Sequence, residues 1–230
     1  MPSAIIEARE LGRNFGATPV LRAVDLRLER GGGAIVTGIN GAGKSTLLKL
    51  LAGIAAPSGG HALLFGMEAN RLPAADRRRI GLMTHQSFLY PNLTARENLE
   101  FYASLYELRS PGDAAERWLD RVGLAAAADE RVRALSRGME QRLSAARAML
   151  HEPDALLMDE PFAGLDGSGV SIVAALIEEA IARKCAVLIT AHGAPTIEGV
   201  DLERFELDRG RLIVPKPETR TGRLRSLLGG

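Results

Sequence analysis

The sequence is poor in cysteine and in aromatic side chains, and neither sign of charge dominates it. Cysteine occurs once in 230 residues, at Cys185. A single cysteine excludes an intrachain disulfide framework, which suits a reducing compartment. It lies in the apolar run Cys185-Ala-Val-Leu-Ile-Thr190, so it reads as a small buried hydrophobe rather than a catalytic or metal-bound thiol. Aromatic residues make up only 4% of the chain, and 29 Lys and Arg stand against 28 Asp and Glu. The charge balance argues neither for nor against a nucleic-acid partner, but few rings are available to stack bases, and no such partner is expected. No apolar run approaches the ~18 residues that cross a bilayer. The start, MPSAIIEARELGR, lacks the apolar stretch of a signal peptide. A role at a membrane would need another chain to do the crossing. Internal repeats and low-complexity tracts are also missing.

What is present is an apolar fraction of 46% with a mean hydropathy near zero, enough to bury a core. The length fits one domain, or one core with a smaller subdomain folded into it. Short apolar runs alternate with helical patterns, which predicts an α/β fold with a mainly parallel sheet. The first segment differs: 4–9 and 20–28, followed by Gly31-Gly32-Gly33, read as antiparallel strands. The apolar strand 34–37 then runs into a glycine-rich loop, and 47–52 continues as a helix stopped by Gly53 and Pro57. Residues 61–65 and 80–84 are further strand candidates.

From 90 to 151 the pattern turns helical and predicts a helical subdomain inserted into the core. Thr94-Ala-Arg-Glu97 is a capping box. Ser110-Pro111 starts a second helix with proline at its first position and Gly123 at its end. A third helix starts near Gly138 and ends before Pro153. Strands return at 155–159 and 186–191 around a helix over 167–183, and 203–207 with 211–214 form a closing hairpin. The expected division is a single domain in which 1–89 and 152–214 form the core with an antiparallel β subdomain. The polar, basic tail 215–230 is expected to fray.

Gly38-Ile39-Asn40-Gly41-Ala42-Gly43-Lys44-Ser45 matches G-x-x-x-x-G-K-[ST], between a strand and a helix as that phosphate-binding pattern requires. Its glycines let backbone N–H groups turn inward around a phosphate, and the helix that follows through Thr46 adds the positive end of its dipole. Lys44 would reach the β- and γ-oxygens of a nucleotide, and the Ser45 hydroxyl would ligate Mg²⁺. A second element, Leu156-Leu-Met-Asp159-Glu160-Pro161, is an apolar strand ending in two acids at the end where α/β sheets bind ligands. Asp159 fits a carboxylate acting on Mg²⁺ through a metal-bound water. Alternation along a strand sends neighbouring side chains to opposite faces. Glu160 must therefore lie beyond the regular pleat to share the site, where it would polarise a water in line with the γ-phosphate.

Together with these, further elements in one order resemble the ATP-binding subunits of ABC transporters over nearly the whole chain. Gln86 follows a strand as that family's Q-loop glutamine does, and Leu135-Ser136-Arg137-Gly138-Met139 resembles the LSGGQ signature, continued by Gln141-Arg142. Gly164-Leu165-Asp166 resembles the D-loop, His192 the switch histidine, and Phe15 the aromatic that stacks on adenine. The resemblance implies ATP and Mg²⁺ as cofactors, with Gln86 touching the metal or the attacking water and His192 touching the γ-phosphate and the water of Glu160. It implies that Ser136 and Gly138 donate to a γ-phosphate held by a second ATPase subunit, identical or not, and that Asp166 communicates across that dimer. It also implies a transmembrane permease subunit, a peripheral place on the cytoplasmic face of the cell membrane, and no direct contact with cargo. Arg137 and Met139 depart from the signature, while its serine and second glycine remain. Ala191 and Gly193 around the histidine also depart from the commonest pattern.

The run 85–102 with LSRGM is similar to the ATPase subunit of bacterial heme exporters for cytochrome c biogenesis, and in part to drug and polysaccharide exporters. Heme export is the first expectation and another exporter the alternative. A soluble, non-transport ABC ATPase is the reading from a different class; its usual second cassette or coiled-coil insertion is not found here. His61, His85 and His151 have no ligand-like spacing and read as ordinary histidines, and Arg77-Arg78-Arg79 as a solvated edge. Phe88, Leu89, Tyr90 and Leu93 stand where the family docks its membrane partner, and core packing explains them equally. Lys216, Arg220, Arg223 and Arg225, beside Leu224, Leu227 and Leu228, would meet anionic lipid only if the tail is not simply frayed.

Overall fold

The computed structural model describes residues 4–192 and 202–215; Gly193 and the basic tail residues from Lys216 onward lie outside them. Two sheets organise the chain. The smaller is antiparallel in the order β2-β1-β4-β5, from β1 (Ile6–Phe15), β2 (Thr18–Leu28), β4 (Gly59–Leu64) and β5 (Met67–Glu68). The larger has six strands in the order β10-β9-β3-β8-β7-β6. Its strands β3 (Gly33–Thr37), β6 (Ile80–Met83), β7 (Ala155–Asp159), β8 (Ala186–Thr190) and β9 (Glu203–Asp208) are parallel, and β10 (Arg211–Ile213) returns antiparallel at one edge.

Both faces of the parallel sheet are covered, which is why its strands are continuous apolar runs rather than alternations of apolar and polar residues. Alternation nevertheless sorts them. Ile35, Leu156, Met158, Val187 and Ile189 pack into one core with the later helices. Ala34, Val36, Leu157, Ala186 and Leu188 face the other way. There they meet α1 (Lys44–Leu51) and the antiparallel sheet. Burying one such leucine or isoleucine contributes about 1.5–3 kcal/mol, so each central strand stabilises two cores at once.

After the four-residue α2 (Ala74–Arg77), the helices α3 (Ala95–Leu105), α4 (Pro111–Arg121), α5 (Arg137–Met149) and α6 (Gly167–Ala182) lie against the first core. Local sequence sets their ends. Thr94 Oγ1 accepts from the Glu97 amide at 3.0 Å and the Glu97 carboxylate accepts from the Thr94 amide at 2.8 Å, closing the capping box. Ser136 caps α5, which starts at Arg137, one residue before the expected start, and Asp166 caps α6.

The first strand departs most from expectation. It continues past residue 9 to Phe15 because register shifts after Ala8, Leu11 and Arg13 let the polar stretch stay paired. Glu10 takes φ 45° within it. Such bulges break the period of two on which a strand is recognised. The strand candidate 61–65 is β4, which joins the antiparallel sheet. Cys185 is buried as expected, and that burial pushes its thiol up to about 12.

Candidate functional site

Strands β3, β8, β7 and β6 are consecutive neighbours, so the loops leaving their carboxyl ends lie side by side. These loops carry the Gly38–Lys44 turn, His192, Asp159 with Glu160, and Gln86 respectively. Parallel strands thus bring to one rim of the sheet residues separated by more than a hundred positions in sequence.

The glycine-rich loop has the backbone its composition predicts. Gly38 takes φ 153°, and a Cβ there would come within 2.6 Å of the Leu207 carbonyl. Gly43 takes φ 107° as the residue before α1, and no side chain caps that helix. Ile39 is 72% exposed, and Asn40, Gly41 and Ser45 are exposed too, while Ala42 and Thr46 are half-buried. Lys44 is only 5% exposed, and its ammonium donates to the carbonyls of Gly38 at 2.8 Å and Ile39 at 3.2 Å. The same Nζ lies 3.9 Å from Oε1 of Glu160. The loop and the acid pair therefore meet at one point.

Asp159 ends β7 and is buried; its Oδ1 accepts a hydrogen bond from the Thr190 hydroxyl on β8. Glu160 leaves the pleat as expected, at φ 50°. That left-handed conformation is uncommon for a residue other than glycine. Its amide donates to the Thr190 carbonyl at 3.0 Å, and its own carbonyl accepts from Ala163 at 3.1 Å and from Gln141 Nε2 at 2.9 Å. Beside the two acids is a cavity of about 180 Å³ lined by Thr84, His85, Ser87, Arg137, Glu140 and Gln141. Gln86 is exposed, and the Thr84 hydroxyl fixes its backbone by accepting from its amide and donating to its carbonyl. His192, two residues past the end of β8, is exposed.

Ser136, Gly138 and Asp166 are brought together elsewhere, in a cleft of about 340 Å³ with Arg137, Met139 and Gly164. None of the glycine-rich loop residues lines it. Ser136 Oγ accepts from the Met139 amide at 3.3 Å. The Asp166 carboxylate accepts from the Gly169 amide at 2.7 Å and the Ser168 hydroxyl at 2.9 Å. The first of these, then the second, holds it below the usual carboxylate range. The two departures from the signature have visible places. The Arg137 side chain lies over Gly164, 3.2 Å from where a Cβ would stand, and Met139 packs against the main core.

Phe15, at the end of β1, is 56% exposed and carries the Arg13 guanidinium 4.8 Å above its ring. Leu89 packs against the core, whereas Phe88, Tyr90, Phe101 and Leu105 are exposed. Tyr90 and Phe101 meet edge to face at 5.0 Å. The three consecutive arginines are engaged within the chain: Arg77 with the Leu72 carbonyl, Arg78 with Glu107, and Arg79 with Asp154. His61 pairs with Glu68, and His151 stacks on Tyr106 at 3.7 Å.

Thr190 and the Gln141 contact escaped sequence reasoning. Thr190 merely ends an apolar run, and its partner lies 31 positions away. For magnesium the donors on this rim are hard oxygens: the Ser45 hydroxyl, the Gln86 amide oxygen and the Asp159 carboxylate. That chemistry fits a cation that keeps several waters and shares substrate phosphates. Among the described residues no group of three or more His, Cys, Asp or Glu could hold a metal by itself, and no helix is long and apolar enough to cross a membrane.

The profile of the ABC transporter family matches residues 21–163. The "Probable multidrug ABC transporter ATP-binding protein YbhF" of Escherichia coli K12 is 34% identical over 91% of this chain, which spans only 36% of that protein's length. The Nod factor export ATP-binding protein I of Paraburkholderia xenovorans is 33% identical over 93% of this chain and 71% of its own. A solved ATP-binding subunit of an ABC transporter, 29% identical, superimposes with a TM-score of 0.80 over 90% of this chain and 88% of its own.

Proposed function

The chain belongs to the ABC transporter family, and from that premise we propose that it binds and hydrolyses ATP with Mg²⁺ to drive export through a separate membrane permease. The observation that carries this reading is the 3.9 Å approach of the Lys44 ammonium to the Glu160 carboxylate. The cation that would hold the β- and γ-oxygens and the acid that would direct water onto the γ-phosphorus stand at one point of the sheet rim. Residues Gly38 to Thr46 cradle the phosphates with backbone amides and the positive end of α1. The Ser45 hydroxyl, the Gln86 amide oxygen and the Asp159 carboxylate would hold magnesium, which would supply charge neutralisation at the phosphates. Glu160 accepts the proton of the attacking water, and His192 donates to the γ-phosphate. Phe15 offers the adenine an apolar face.

Ser136, Gly138 and Asp166 line a cleft that the glycine-rich loop does not share. They complete the site of a second ATPase subunit, whether identical or not, and receive the same service in return. Two nucleotides are then enclosed between two subunits, and hydrolysis releases the pair. The permease would meet the exposed Phe88 and Tyr90, and a peripheral position on the cytoplasmic face of the cell membrane goes with that reading. The cargo does not touch this chain. Heme export for cytochrome c assembly is the finer reading favoured by the run 85–102; export in general is favoured by the relatives named for multidrug and Nod factor export.

Purified chain mixed with ATP and magnesium tests the core of the proposal. Calorimetry should show one nucleotide per chain, with phosphate release that requires magnesium. Absent binding, or turnover indifferent to magnesium, would remove it. Expression with its membrane permease subunit should give a stable complex in detergent.

A further inference from the structure

Helix α5 touches three separate parts of the site with one face. Gln141 Nε2 donates to the Glu160 carbonyl at 2.9 Å, Ser144 Oγ to the Ser87 carbonyl at 3.4 Å, and the Arg147 guanidinium to the Leu82 carbonyl. Positions three apart share a side of a helix, so this polar stripe faces the ends of β6 and β7 together. Leu82 and Ser87 bracket the segment that holds Gln86. The contact at Gln141 differs from the other two because it grips a residue whose backbone is held in an uncommon conformation. Glu160 at φ 50° turns its carboxylate out of the pleat, and its carbonyl is the atom that Gln141 holds from outside the turn. Gln141 also lines the cavity beside Asp159 and Glu160.

We propose that Gln141 is a positioning residue for Glu160. By donating to the Glu160 main-chain oxygen it keeps the turn that aims the carboxylate at the γ-phosphate site. The inference rests on the assignment of Glu160 as the residue that directs water. It adds that this aim depends on where α5 sits. Ser136 caps the same helix five residues earlier, about 7.5 Å along its axis. A pull on Ser136 by the opposing nucleotide therefore reaches the Glu160 carbonyl through little more than one turn of rigid backbone.

The test is a double-mutant cycle on the full chain, read by steady-state ATP hydrolysis. Gln141→Met keeps the length of the side chain and removes both N–H donors. It should lower kcat about tenfold while KM for ATP stays within about twofold. Gln141→His, which retains a donor, should recover most of that loss. In a Glu160→Gln background the Gln141→Met change should leave the small residual rate where it was, because the group it positions is already gone. Equal loss in both backgrounds, a rise in KM with kcat unaltered, or full kcat in Gln141→Met would each overturn the proposal. The parent assignment fails separately: it falls if Glu160→Gln alone turns over at the full rate. ATP affinity measured on Gln141→Met in the Glu160→Gln background separates misaim from misfolding, since a folded chain binds as its parent does.

Discussion

The Thr190 hydroxyl on β8 donates to Oδ1 of Asp159 at the same level of neighbouring β7. Both side chains are at least 94% buried, and the Thr190 carbonyl also takes the Glu160 amide. One threonine thus seats both acids. A buried carboxylate needs such a partner, since losing a hydrogen bond to a charged group costs about 1.5–3 kcal/mol. Thr190→Val keeps the shape and removes the donor. Its urea unfolding midpoint should fall accordingly, and the magnesium concentration needed for half-maximal hydrolysis should rise. A midpoint equal to the parent's would mean that Asp159 does not depend on this bond.

Glu160→Gln removes the negative charge while keeping the side chain's size. ATP affinity should change little, turnover should drop by at least a hundredfold, which is about 2.7 kcal/mol of barrier, and gel filtration with ATP should show an accumulating dimer. Phosphate release near the parent's rate would refute the role assigned to this carboxylate.

Lys44→Ala takes away the ammonium that lies 5% exposed under the loop. A charge-assisted bond to phosphate of about 1.5–3 kcal/mol implies ATP binding weakened roughly tenfold to a hundredfold, with the loss larger for ATP than for adenosine. Titration calorimetry with both ligands decides it; an equal loss for the two would point to a collapsed loop instead.

His151 gives the fold a pH signature. Burial drives its pKa down from 6.5 to about 4, outweighing the bond to the Ile80 carbonyl. A depressed pKa means the unfolded chain takes the proton first. Stability from this residue is therefore complete above pH 6.5 and is lost as pH falls toward 4, by roughly 3 kcal/mol at most. His151→Phe, which can keep the stack on Tyr106, should flatten the slope of unfolding free energy between pH 6.5 and 4. An unchanged slope would assign it to other groups.

Much of this was readable in the residues because the strongest local signals survive packing. The runs 155–159 and 186–191 are apolar on both sides and became central strands for that reason. The capping box at Thr94 and the proline at the first position of α4 mark their helix starts within a few residues of sequence. The expectation that Glu160 must leave the pleat followed from alternation alone, and its φ of 50° is the way it does so. What stayed hidden is what needs a partner distant in sequence. The bulged half of β1 is a strand only because β2 and β4 supply its pairing. Thr190 under Asp159 and Gln141 at Glu160 join ordinary polar residues across elements, and no spacing announces such bonds.

The depth at which Cys185 lies has a practical corollary. With a pKa of about 12 and 3% exposure, the chain's sole sulfhydryl keeps its proton and meets no reagent at neutral pH. Maleimides and mild oxidants should pass over the native protein. A cysteine placed at exposed Ser136 would then speak alone, and cross-linking or a dye there could follow two subunits meeting without any other sulfur answering.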